Sequence, residues 1–205
     1  MSIVTLNDRG VRSVTTFGSL NTGSMVFIKK LTASSSGTLD FVNGTSDVVF
    51  DSTYKEYLFT FKDIHPSTKS FFKFQADTGT NTNYNQTITS THFRAAHNEA
   101  DSAANLNYAT DQDQAQGTDF QSLAYNVGSG NDESISGILN IFNPSSSTFV
   151  KHFLARANVY YQNGDYSMDS FTAGYFNTTT ALTRVRFKMS SGNIDAGDIC
   201  LYGIN

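Results

Sequence analysis

The 205-residue chain is 39% hydrophobic and 13% aromatic, with 17 Phe, 10 Tyr and no Trp, which is enough apolar bulk for a packed core and excludes a chain that is disordered throughout. Only 16% of residues are charged and the net charge is −4, so no basic field gathers phosphates and nucleic acid is excluded as a partner class. Cys200 is the single cysteine; an internal disulfide is excluded, and stability must come from packing or from association between chains.

Residues 1–24 are rich in Thr, Ser, Asn and Gly, with thinly spaced apolar residues at Ile3, Leu6, Val11, Val14, Phe17 and Leu20. They read as an extended N-terminal arm that docks on a partner or exchanges between subunits. No basic stretch followed by an apolar run opens the chain, and no window approaches the roughly 20 apolar residues of a membrane span. The expectation is synthesis in a reducing cytoplasm, no signal peptide and no membrane insertion.

From residue 25 a period-2 pattern takes over, the signature of strands whose alternate side chains face a core. MVFIK at 25–29 reads as a short buried strand, and Leu39 with Phe41 share one face before a turn at Asn43-Gly44. Across 54–64, Tyr57, Phe59 and Phe61 alternate with Leu58, Thr60 and Lys62, up to His65-Pro66, where proline ends ladder pairing. Phe72 and Phe74 repeat the inward phase in the next strand. The run DTGTNTN at 77–83 is a loop by composition.

Residues 87–95 are β-branched and polar, consistent with a half-exposed strand. Residues 98–117 are the least periodic part of the chain and predict a long loop; 119–125 predicts a short helical turn. Strands follow at 137–142, 148–158 and 171–176. At 184–189 the alternation is strict: Val185, Phe187 and Met189 face a core, and Arg184, Arg186 and Lys188 face out. A turn at 191–193 leads to a last strand at 199–204. About nine or ten strands, no helix of ten residues and no internal repeat predict an all-β fold. The form expected is an antiparallel, jelly-roll-like β-sandwich over 25–205 behind the 1–24 arm.

Several phrases stand out as a set: DSTYKEYLFTFKDIHPST at 51–68, TSTHFRAAHNEADSA at 89–103, DQAQGT at 113–118, LNIFNPSSSTFVKHFLA at 139–155, FTAGYFNTTTAL at 171–182 and FKMSSGNIDAGDICLYGI at 187–204. Together they resemble a family of short virion structural, tail-fibre-like proteins of marine tailed bacteriophages. The resemblance spans about residues 25–204 and touches the arm through TFGSL at 16–20. It implies a virion protein and brings no catalytic motif with it.

The chemistry-bearing residues point the same way. His92, His97, Glu99 and Asp101 are the densest group of metal-type side chains, but they lack the paired Cys or His spacing of a zinc site. Residues 77–83 offer oxygens at alternate positions, as a calcium loop does, without its bidentate acid. Acidic neighbours such as Glu99 with Asp101, or Asp132 with Glu133, are what 18 acidic residues produce by chance, and glycoside cleavage needs two carboxylates facing one sugar. Cys200 lies in an alternating strand and has no nucleophile elbow around it. No enzyme activity, cofactor or metal is expected. The tyrosines that fall in polar stretches, Tyr84, Tyr108, Tyr161 and Tyr166, are the candidates for an exposed recognition surface.

The leading expectation is a homotrimeric tail-fibre or tail-tip component. Its arm would meet other virion proteins, and its polar loops would meet a host-surface polysaccharide or protein. A capsid decoration protein that stabilises the phage head is the second reading, and a carbohydrate-binding module the third, because one fold serves all three.

Overall fold

A computed structural model describes residues 24–161 and 165–205; apart from Ser24, the expected arm lies outside the described residues. The chain forms twelve strands: β1 Met25–Thr32, β2 Leu39–Val42, β3 Glu56–Pro66, β4 Ser70–Thr78, β5 Ile88–Asn98, β6 Ala104–Tyr108, β7 Gln121–Val127, β8 Ile135–Phe142, β9 Lys151–Tyr161, β10 Tyr166–Phe176, β11 Leu182–Met189 and β12 Ile194–Ile204. No α-helix occurs among the described residues, so the all-β expectation holds.

Every pairing is antiparallel. The order along the sheet is β1-β12-β3-β8-β9-β7-β4-β11-β2, and β10, β5 and β6 extend from β9 as a branch. The sheet nearly closes into a barrel. At one junction β9 meets β7 through the single pair Val127 and Tyr161. At the other, the β1–β2 connection is tied to β12 by Ala33 N to Gly197 O at 2.8 Å and by Ser36 N to Ile194 O at 2.8 Å. The barrel wall therefore has a broad side, β1-β12-β3-β8-β9-β10-β5-β6, and a narrow side, β2-β11-β4-β7.

Between the two sides lies an aromatic core. Tyr57, Phe59 and Phe61 point into it from β3, Phe72 and Phe74 from β4, and Val185, Phe187 and Met189 from β11, all buried on the phase that the sequence predicts. The Phe187 ring is the hub. Phe41, Phe59, Phe61, Phe72 and Phe74 all have ring centroids within 5.2–6.3 Å of it, in the edge and offset geometries that aromatic quadrupoles favour.

Three local expectations are overturned. The first strand is an edge strand, not a buried one: Met25 and Phe27 are 51% and 57% exposed, because β1 ends the pairing order and none of the described residues covers its outer face. The helical turn expected at 119–125 is β7, whose Gln121, Ser122 and Ala124 pair with β4; tertiary pairing overrides a weak local preference. The long loop expected at 98–117 contains β6, all five residues of which are exposed. A strand with no inward face has no apolar alternation to read.

Candidate functional site

The broad side presents an apolar outer face. Eight large hydrophobic side chains are exposed among the described residues, and seven of them, Met25, Phe27, Phe93, Leu106, Tyr108, Ile138 and Leu154, lie on outward positions of this side. Cross-strand register places them in rows. One runs from Phe27 through Tyr202 and Leu58 to Asn140, Leu154 and Ala173. The next runs from Thr60 through Ile138, Arg156, Phe171 and Phe93 to Tyr108. Phe93 and Phe171 stack at 4.7 Å with their planes 6° apart. Beside them lies a hollow of about 630 Å³ lined by Ile138, Phe142, Leu154 and Phe171.

The charged groups nearest the hollow hold local partners. Arg156 donates from Nε and Nη2 to Asp169 at 2.6–3.1 Å, a fork that raises the guanidinium pKa through its hydrogen bonds to Asp169. Glu56 accepts a hydrogen bond from the Asn140 carboxamide. Seven steps of about 4.8 Å between eight strands make the face roughly 34 Å wide, and two or three outward positions along each strand give it an area on the order of 600 Å². Thr60, Asn140 and Arg156 take part of that area, and the apolar remainder is comparable to the largest patch of a few hundred Å² that a monomer carries, which is often a binding surface.

A second feature is a cleft on the inner surface of the broad side, where the β5–β6 hairpin extends past β7. Arg94 pairs with Asn107, and Ala96 with Asn105, so both asparagines share the face that carries the arginine. Tyr161 and Tyr166 pair across β9 and β10, and Tyr125 reaches in from β7. The three tyrosines form a row, with ring centroids 5.8 Å apart between Tyr125 and Tyr161 and 6.0 Å apart between Tyr161 and Tyr166. The Arg94 guanidinium lies 3.9 Å from the centre of the Tyr125 ring, and Lys69 Nζ stands 5.4 Å from the centre of Tyr161. The cleft has a volume of about 400 Å³ and no carboxylate in its lining.

The structure thus unites two of the four tyrosines picked from the sequence and separates the others. Tyr84, expected to be exposed, is buried. It lies beneath Arg186, whose guanidinium is 3.9 Å from its ring centre, and burial pushes its phenol pKa up. Tyr108 is exposed but on the apolar outer face, where its hydroxyl donates to Asp113 at 2.6 Å and that bond raises its pKa. Tyr125, Arg94, Asn105 and Asn107 escaped the sequence reading, because only β5–β6 pairing and the meeting of β7 with β9 bring them to Tyr161.

The narrow side carries the opposite kind of outer face. Arg186 grips Asp40 at 2.6 and 2.8 Å, and Lys188 Nζ stands 5.3 Å from the Phe120 ring centre. Two loop segments, 79–87 and 109–120, fold over this surface and are pinned by buried polar side chains. Gln75 Nε2 donates to the carbonyls of Gln86, Thr118 and Asp119 at 3.0–3.3 Å. The Asp77 carboxylate accepts from Thr78 N, Asn81 Nδ2, Tyr84 N and Gln86 Nε2 at 2.8–2.9 Å. The oxygen-rich run at 77–83 is therefore an internal staple.

The histidines are dispersed. His65 Nδ1 contacts the Glu133 carbonyl at 2.6 Å, His92 is buried, and His97 meets Asp101 at the surface. No group of three or more His, Cys, Asp or Glu converges to hold a metal among the described residues. The Glu133 carboxylate is turned onto Gly130 N at 2.5 Å within its own loop.

No family model and no curated protein matches the chain. A solved structure of a Bacteroides ovatus protein of unknown function is similar over 52% of this chain and 45% of its own, at 6% identity and a TM-score of 0.28. The chain thus spans less than half the length of that protein, and a likeness at this level carries no argument about function.

Proposed function

We propose that this chain is a structural protein of a bacteriophage virion, a homotrimeric tail-fibre or tail-tip component that assembles through one apolar face and presents a host-recognition surface. The observation that carries the reading is the concentration of seven of the eight exposed large hydrophobic side chains on the broad outer face. A standard interface takes about 800 Å² from each partner, and the face approaches that. Its two ends differ, with Phe27 and Tyr202 at one and Phe93, Leu106 and Tyr108 at the other, so a closed ring in which each end meets the opposite end of the next copy covers both. The family resemblance supports the virion setting.

The strand order supports a jelly roll as the underlying plan. With the β5–β6 and β9–β10 hairpins set aside as insertions, the remaining eight strands pair first with eighth, third and sixth on one side, and second with seventh, fourth and fifth on the other. That is the order a folded double Greek key produces.

Light scattering of the full chain tests the assembly. The expected mass is that of three 22.5 kDa chains, and Phe27→Lys combined with Leu106→Lys, one change at each end of the face, is expected to yield monomers with an unchanged melting transition. A monodisperse wild-type monomer overturns the reading. Densitometry of purified virions tests the location: tens of copies or fewer per particle fit a tail appendage, whereas hundreds move the protein to the head as a decoration protein.

A further inference from the structure

We infer that the cleft between β7 and the β5–β6 hairpin is a binding site for an acidic saccharide, one whose pyranose rings carry carboxylates. The inference rests on the reading of the chain as a recognition appendage and names the class of ligand recognised. Three properties of the cleft select that class.

The first is the row of half-buried tyrosines, Tyr125, Tyr161 and Tyr166, at 5.8 and 6.0 Å spacing. A pyranose ring has an apolar C–H face and a hydroxyl rim, and a tyrosine offers both a flat apolar body and a polar tip to match them. The second is the polar rim. No hydrogen bond among the described residues engages the carboxamides of Asn105 and Asn107 or the hydroxyls of Tyr125, Tyr161 and Tyr166. A carboxamide donates and accepts at once, as a sugar hydroxyl does.

The third is the charge. Arg94 and Lys69 approach the cleft, neither joins an ion pair among the described residues, and no carboxylate lines the cleft. In a protein of net charge −4, two uncompensated cations beside an aromatic row favour an anion. The stacking of Arg94 on Tyr125 at 3.9 Å holds the guanidinium in place before a ligand arrives, which reduces the ordering that binding would otherwise cost. The volume of about 400 Å³ lies within the roughly 300–1,000 Å³ of small-molecule sites.

Isothermal titration of the full-length assembly with tetragalacturonate, and in parallel with the neutral galactotetraose, tests the site. The acidic oligomer is expected to bind at least about tenfold more tightly, and Arg94→Gln, Lys69→Gln and Asn107→Ala each to weaken it several-fold while the oligomeric mass stays that of wild type. Lys69 and Asn107 keep the test decisive even where Arg94→Gln disturbs folding. Equal binding of the two oligomers, binding of neither, or full affinity in the Lys69 and Asn107 variants overturns the inference. A wild-type trimer that binds neither sugar refutes the cleft and leaves the assembly intact. A monomer that binds the acidic sugar refutes the assembly and leaves the cleft.

Discussion

The two outer faces of this barrel are built from the same alternating strands and end in opposite states. On the narrow side the outward positions are Arg186, Lys188, Gln75 and Asp77, and loop segments at 79–87 and 109–120 cover them through bonds from buried Gln75 and Asp77. On the broad side the outward positions are Phe27, Ile138, Leu154 and Phe93, and none of the described residues folds over them. Polar side chains recruit the protein's own loops, because an unsatisfied buried carboxylate or amide is costly and a nearby backbone can satisfy it. Apolar side chains make no such directional demand. Left open, they are covered most economically by another apolar surface, and that is the physical content of the assembly reading.

The core shared by both sides sets the upper limit of the comparison. Phe187→Ala is expected to cost about 3–5 kcal/mol by emptying the centre of the five-ring cluster, whereas Lys188→Ala beside it is expected to cost within about 0.5 kcal/mol. Chemical denaturation of the two variants decides this. Equal midpoints would place Phe187 outside the core.

His92, on β5 where the 109–120 segment leaves the sheet, sharpens the contrast through pH. Burial, and after it the Arg94 charge, lowers its pKa from 6.5 to about 4; Thr172 Oγ1 lies 2.9 Å from Nδ1. The folded protein keeps the ring neutral while the unfolded chain protonates it, so stability is intact above about pH 6.5 and falls as the pH drops toward about 4. The full loss is about 3 kcal/mol at roughly 1.4 kcal/mol per pKa unit. Denaturant midpoints measured across that range for wild type and for His92→Gln are expected to diverge, with the variant showing the flatter profile.

The staple on the narrow face gives the smallest of the three effects. Asp77→Ala removes the acceptor for four donors and is expected to cost about 2 kcal/mol. Protease cleavage should then concentrate in 79–87 while the broad face stays protected. Unchanged cleavage there would mean that the loop is held by Gln75 alone.

The strands with one buried face were legible residue by residue. Tyr57, Phe59 and Phe61, Phe72 and Phe74, and Val185, Phe187 and Met189 take the phase that period-2 alternation assigns them, since a strand placed one residue out of register exchanges its core and solvent faces. β6 and β7 were illegible for opposite reasons: β6 has no buried face, and β7 buries polar residues along with apolar ones. Of the four tyrosines chosen for polar surroundings, Tyr161 and Tyr166 reach the cleft, whereas Tyr84 is buried and Tyr108 joins the apolar face. Polar sequence neighbours do not report what folds over a residue.

What the sequence determined by itself was therefore local and periodic: an all-β chain, the inward phase of its regular strands, and a low-charge surface without a basic field. Only the tertiary structure decided which outward positions are covered, because coverage depends on pairing between residues far apart in the chain. Arg94 meets Tyr125, and shares a cleft with Tyr161, only after β5, β7 and β9 have come together. Phe27 joins Ile138 and Leu154 on one face only because β12 and β3 stand between them. Alternation specifies that a side chain points outward, and strand order specifies what it meets there.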